Sequence, residues 1–150
     1  MESLPHAKGV RDLLAYQKAR RLALEIFRLT ASFPKEEMYS LTDQIRRSSR
    51  AIGANIAEAW AKRRYERHFI SKLTDADGEQ QETQHWVEAA ADCGYLNTEA
   101  ATALRNQCEE IGLLLGGMIS KASSFCGEPA RTQRESPAEY YVTASPATDD

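Results

Sequence analysis

The run Glu82-Thr83-Gln84-His85 sets a carboxylate and an imidazole three residues apart, half of the ligand pattern that holds a di-iron centre inside a helical bundle. Such a centre needs the motif twice and two further inward glutamates, and the chain has no second copy. His85 on an acidic helix therefore reads as a solvated side chain. Asp75-Ala76-Asp77-Gly78-Glu79 has the carboxylate density of a calcium loop, but its glycine stands two places early and the later ligands are missing. No serine or cysteine has a histidine and a third orienting group at a signature spacing, and no glycine-rich phosphate loop follows a strand. Cys93, Cys108 and Cys126 are odd in number and lack C-x-x-C spacing, which favours reduced, packed thiols over a disulfide frame or a zinc site. The chain is expected to be a non-enzyme with no catalytic residues, no metal and no cofactor.

Binding chemistry is better represented. Lys62-Arg63-Arg64-Tyr65-Glu66-Arg67-His68 gathers basic groups around one aromatic ring at a helix junction, so the cations could hold phosphates while Tyr65 stacks on a base. The candidate nucleic-acid-binding residues are Arg50, Lys62, Arg63, Arg64, Tyr65 and Arg67, against the plainer reading of a solvated charged turn. The net charge of −3 hides an asymmetry. Residues 1–72 carry 15 Lys and Arg against 8 Asp and Glu (+7), residues 73–126 carry 2 against 9 (−7), and residues 127–150 carry 2 against 5 (−3). Basic helices lying beside acidic ones, within one bundle or across subunits, would account for this; so would a basic surface that meets an anionic polymer.

These groups need elements to position them. Leu41, Ile45, Ser48, Ile52 and Ile56 fall at helical spacing, and Ser49, Ala51, Gly53, Ala54, Ala57 and Ala59 leave a seam that a neighbouring helix can approach closely. Arg46, Arg47, Asn55 and Glu58 stand in that seam. An unpaired buried charge costs about 3–5 kcal/mol, so Glu58 is expected to be buried and paired with Arg46, Arg47 or an arginine of another subunit.

Four helices follow from the periodicity. The first begins near Val10 to Asp12 and carries Ala15, Ala19, Leu22, Ile26, Leu29 and Phe33 on one side until Pro34 stops it. The second runs from Lys35 to about Arg64, weakened at Gly53. The third follows Phe69, Leu73, Ala76, Gln80, Thr83, Val87 and Ala90, with Gly94 as its left-handed stop. The fourth, capped by Asn97 or Thr98, carries Leu104, Cys108, Ile111, Leu115, Met118, Ala122 and Phe125, and Gly112, Gly116 and Gly117 offer a contact groove. The expected fold is all-α, an antiparallel up-down four-helix bundle over residues 1–126.

At 150 residues one domain with a proper core is expected. Residues 127–150, with Pro129, Pro137 and Pro146 among Glu, Ser, Thr and Ala, are expected to form a disordered acidic tail. No apolar run nears the roughly 20 residues of a membrane span and the start has no apolar signal core, so a cytoplasmic protein with no membrane partner is expected.

Five segments together resemble a known family. They are Asp12-Leu13-Leu14-Ala15-Tyr16-Gln17-Lys18-Ala19, Phe33-Pro34-Lys35-Glu36-Glu37, Gln44-Ile45-Arg46-Arg47-Ser48, Asn55-Ile56-Ala57-Glu58-Ala59 and Cys93-Gly94-Tyr95-Leu96, in order from about residue 10 to 120. The chain resembles the bacterial four-helix-bundle family associated with intervening sequences in 23S ribosomal RNA, itself similar to the accessory proteins of diversity-generating retroelements. It departs from that pattern at Gly53, where proline is frequent, at Ala59-Trp60, where glycine is usual, and at Asp77-Gly78-Glu79-Gln80-Gln81, where the family tends to be apolar. The resemblance implies an antiparallel bundle assembled into a ring, commonly a homopentamer, that associates with structured RNA or a nucleic-acid-processing protein and catalyses nothing. Two expectations stand: a nucleic-acid-associated accessory protein, and an oligomeric protein–protein scaffold that binds no nucleic acid.

Overall fold

The computed structural model describes residues 7–126. They form four long helices, α1 (Leu14–Thr30), α2 (Leu41–Ala61), α3 (Glu66–Asp92) and α4 (Thr98–Ser120), and a short α5 (Ala122–Cys126). Single turns of 3-10 helix, Val10–Asp12 and Lys35–Glu37, precede α1 and α2, and the described residues contain no strand. Consecutive long helices pack side by side and α1 closes on α4, so the four enclose one core. The expected tail over residues 127–150 lies outside the described residues.

Cross-helix pairs show the antiparallel order. Arg47 meets Glu79 and Glu82 near the start of α2, whereas Glu58 near its end meets Lys72 near the start of α3. Between α3 and α4, Glu88 pairs with Arg105 while Gln80 lies against Gly112. Arg46 reaches the last residue of α1, and Gly53 lies against Tyr16 and Ala19. Among the described residues no helix is long and apolar enough to cross a membrane.

Four expected boundaries move for local reasons. Leu13 has extended backbone (φ −75°, ψ 124°), which separates the Val10–Asp12 turn from α1. α1 stops at Thr30, before the position that Pro34 restricts, and Phe33 leaves it to pack on Tyr95 with ring centroids 5.3 Å apart. Lys35–Glu37 closes only one tight turn, and Ser40 (φ −127°, ψ −106°) breaks the chain before α2. At the far end Lys62 N–H bonds the Glu58 and Ala59 carbonyls and α2 stops at Ala61. The α3–α4 turn follows expectation: Gly94 is left-handed (φ 77°), and Tyr95 N–H donates to Ala90 O and Gly94 N–H to Ala91 O, the paired bonds of a Schellman end. Asn97 Oδ1 then accepts from Ala100 N–H at 2.8 Å and caps α4.

The core has a polar layer at mid-height. Ser48, Ser49, Gln80 and Thr83 are all buried among leucine and isoleucine. The Thr83 hydroxyl lies 2.9 Å from Ser48 Oγ, with the Glu79 carbonyl 2.8 Å away as its alternative acceptor. Gln80 Nε2 donates to Asp77 at 2.9 Å, and Gln80 Oε1 accepts from Gln84 at 2.8 Å. Gly112 makes the room for that amide, since a Cβ there would stand 2.8 Å from Gln80 Nε2. Gly116 and Gly117, expected to serve as contact surface beside it, are exposed with nothing within 4 Å of an added Cβ. Cys108 sits deep in the core, where burial pushes its thiol up to about 12.

Two helical glycines should therefore respond in opposite ways to alanine. At Gly53 a Cβ would meet Tyr16 and Ala19 at 3.8 and 3.9 Å, ordinary contacts, so Gly53→Ala should recover most of the roughly 1 kcal/mol that glycine costs a helix. Thermal denaturation should show a melting temperature raised by a few degrees. Gly112→Ala must displace a buried amide, worth about 1–3 kcal/mol when left unsatisfied, and should lower it.

Candidate nucleic-acid interface

α2 and α3 are joined by Lys62–Tyr65, so the sequence cluster folds into a tight corner. Arg63 turns back over the corner: its guanidinium lies 4.0 Å from the Trp60 ring centroid and donates to Trp60 O at 3.0 Å, closing the end of α2. Arg63 is thereby half-buried and occupied with the helix end. Tyr65 is exposed, its ring centroid 5.4 Å from that of His68, with the Arg64 guanidinium 5.8 Å away. Lys62, Arg64 and Arg67 are exposed and make no ion pair among the described residues.

The antiparallel order brings three more cations to this end. Phe125 of α5 stacks on Phe69 at the start of α3, with centroids 5.7 Å apart, so the end of α4 lies beside the α2–α3 corner. The Val10–Asp12 turn packs on α2, and Lys8 and Lys121 flank one groove with Leu14. Lys8, Arg11 and Lys121 thus share an end with Lys62, Arg63, Arg64 and Arg67, opposed by Asp12 and Glu66. The Asp12 carboxylate is engaged locally, accepting from Lys8 N–H at 2.8 Å and Gly9 N–H at 3.3 Å. The opposite end carries Glu36, Glu37, Asp43, Asp92 and Glu99 around Lys35. Net charge by chain segment concealed this polarity along the bundle axis, although the up-down topology itself implies which termini meet.

Arg50 does not join the corner. It lies about 18 Å up α2 from Lys62 at 1.5 Å per residue, and its guanidinium stands with that of Arg46 over the Phe27 ring, at 5.7 and 4.7 Å. The α1–α2 flank thus claims both residues.

The expected ion pair between Glu58 and Arg46 or Arg47 is not formed. The buried face of α2 is Leu41, Ile45, Ser48, Ser49, Ile52, Gly53, Ile56 and Ala59, and Glu58 turns away from it with its side chain 54% exposed. Its partner is Lys72, with Nζ–Oε2 2.8 Å; that hydrogen bond and charge hold the Glu58 carboxyl below its ordinary range. Arg46 donates to Thr30 Oγ1 at 2.8 Å and Phe27 O at 3.3 Å, tying α2 to the end of α1. Arg47 bridges to α3 through Glu79 and Glu82. Burial pushes the Glu79 carboxyl up, and the hydrogen bond that its protonated form donates to Glu82 adds to the rise.

The metal-like motifs are dispersed. Glu82 is held by Arg47, while His85 is exposed and meets Trp86 edge-on at 4.8 Å. Asp75-Ala76-Asp77-Gly78-Glu79 lies inside α3, where it cannot wrap an ion; Asp75 faces Lys72 at 3.7 Å and Asp77 accepts from Gln80. The described residues contain no group of three His, Cys, Asp or Glu side chains placed to hold a metal. All three cysteines are free, Cys108 and Cys126 buried and Cys93 exposed.

A four-helix bundle with one basic end, closed at the α2–α3 corner by an arginine on a tryptophan, is the class of protein defined here. The chain belongs to the 23S rRNA-intervening sequence protein family, whose description matches residues 11–117. It is similar to a crystal structure of a protein of unknown function from the S23 ribosomal protein family of Bacteroides thetaiotaomicron. The TM-score is 0.66 at 31% identity, over 71% of this chain and 96% of that one. No curated protein matches the chain.

Substitutions should separate the surface pair from the core pair. Glu58→Ala should leave the melting temperature nearly unchanged, because the pair is solvated and the Lys72 ammonium keeps water and Asp75 as partners. Thr83→Val removes the hydroxyl that bonds Ser48, which keeps only the Ile45 carbonyl at 3.3 Å, and should cost about 0.5–1.5 kcal/mol in urea unfolding, whereas Ser48→Ala with Thr83→Val should recover part of that loss. A larger loss from Glu58→Ala than from Thr83→Val would reverse this assignment.

Proposed function

We propose that the chain is a non-catalytic, self-assembling accessory protein of a structured RNA, with the basic end of the bundle as its phosphate-binding surface. The observation that supports this most is the corner itself, where Lys62, Arg64 and Arg67 project together beside an exposed tyrosine and make no ion pair among the described residues; Lys18, Arg47, Lys72 and Arg105 are paired along the helices, while Arg20, Arg21, Arg28 and Arg50 are exposed and unpaired on α1 and α2. Tyr65, 53% exposed among them, offers a stacking surface for an unpaired base. The family's association with 23S rRNA intervening sequences favours a ribosomal RNA in the cytoplasm; a retroelement RNA is a second RNA of the same chemistry. Leu24 and Phe27, 48% and 44% exposed on α1, support assembly into a homo-oligomer, with a pentameric ring as the arrangement read from the family resemblance.

A protein–protein scaffold is the competing reading, favoured by Tyr39 and Leu113, 91% and 80% exposed away from the basic corner. Salt dependence distinguishes the two. With a structured ribosomal or retroelement RNA as probe, each of Lys62→Ala, Arg64→Ala and Arg67→Ala should lower the slope of log K against log salt by about 0.7–0.9. Arg50→Ala, on the α1–α2 flank, should leave the slope unchanged. Absence of RNA binding at low salt, or equal slopes in all variants, would favour the scaffold.

A further inference from the structure

The basic end holds a feature that phosphate binding does not use. A groove of about 810 Å³ runs between the start of α1 and the end of α4, walled by Leu13, Leu14, Leu114, Met118 and Phe125, with Lys8 and Lys121 at its edges. Leu14 is 52% exposed there, beside the buried Leu13. A volume of this size lies within the range of pockets that hold ligands of a few rings.

The chain itself continues from the rim of the groove. Phe125 is one wall, and Cys126, buried on α5, is the last described residue. Residues 127–150 contain one cluster of large apolar side chains, Tyr140-Tyr141-Val142. From Glu135 onward the four charges are Glu135, Glu139, Asp149 and Asp150, with no lysine or arginine to oppose them. Aromatic side chains each bury roughly 150–250 Å² on packing, so a pair of tyrosines suits an apolar slot of this length. The acidic flank complements Lys8 and Lys121.

We propose that Tyr140, Tyr141 and Val142 of the same chain occupy this groove, with the surrounding carboxylates against Lys8 and Lys121. The tether from Cys126 to Tyr140 reaches up to about 46 Å at 3.3 Å per residue, several times the 8–10 Å spacing of packed helices. A tether of 13 residues between Cys126 and Tyr140 supplies an effective concentration on the order of millimolar, so a weak contact suffices. Ala7 also lines the groove, and the six residues before it contain two large apolar side chains, Met1 and Leu4, but no aromatic pair.

The full chain labelled with [methyl-13C]methionine gives signals only from Met1, Met38 and Met118, and Met118 lines the groove while Met38 lies beyond α1 at the other end. The Met118 methyl should be shifted by the tyrosine rings, independently of protein concentration. Tyr140→Ser with Tyr141→Ser should abolish that shift, Tyr140→Phe with Tyr141→Phe should keep it, and Met38 should stay in place throughout. The proposal is overturned if the serine variant leaves Met118 where it was, if Leu4→Ser alone moves it, or if the shift grows with concentration, which would put a second copy in the groove.

Discussion

The register of α2 against α3 governs the rest of this molecule. It is held in the core by the Ser48 and Thr83 hydroxyls, 2.9 Å apart and both fully buried, and at the helix edge by Arg47 between Glu79 and Glu82. Apolar packing alone is tolerant of sliding by a helical turn, because one leucine or isoleucine can replace another in a hole. Sliding would break the hydrogen bond between the two buried hydroxyls, worth about 0.5–1.5 kcal/mol, while each keeps a carbonyl of its own helix, Ile45 O for Ser48 and Glu79 O for Thr83. The polar middle of α3, unusual for a bundle core, thus acts as an alignment device. Gly112 extends it to α4 by leaving space for the Gln80 amide.

From that register the distribution of charge follows. Antiparallel neighbours largely cancel each other's helix dipoles, so the potential at the ends is set by side chains in the last turns and connections. One end collects the Lys62–Arg67 corner with Lys8, Arg11 and Lys121; the other collects the acidic Lys35–Glu37 and Asp92–Glu99 regions. Along the shaft, Lys18, Arg47, Lys72 and Arg105 answer carboxylates across helix boundaries, while Arg20, Arg21, Arg28 and Arg50 stay unpaired among the described residues on α1 and α2. Such a molecule has a modest total charge and still presents a concentrated basic surface, which suits selective contact with an anionic polymer better than adhesion along its whole length.

Much of this was legible in the chain because it is local. The stripes of α1 and α4, the stop at Gly94 and the cap at Asn97 depend on neighbours within a turn or two. Small residues surround Glu58 in sequence and suggest a buried seam, but its phase, about 200° from Ile56 at 100° per residue, turns it out of the buried face. Arg50 was grouped with the basic run by type and proximity in sequence, while three turns of helix carry it to Phe27. Lys8 and Lys121 carry no local signal, because only the meeting of chain-distant helix ends joins them to Arg64. The polar positions Gln80 and Thr83 carried the right helical phase, but their pairing with Asp77 and Ser48 requires the neighbouring helix and the register.

The central claim is that one end of the bundle assembles cations from three separate parts of the chain. Cross-linking of lysines with a short amine-reactive reagent, read by mass spectrometry on mixed isotope-labelled chains to isolate links within one subunit, addresses it directly. Lys62 and Lys8 should each link to Lys121, whereas Lys35, separated from that end by the 21 residues of α2, about 31 Å of helix, should link to none of the three. Links within one subunit from Lys35 to Lys62 or Lys121, with none between Lys62 and Lys121, would contradict the account.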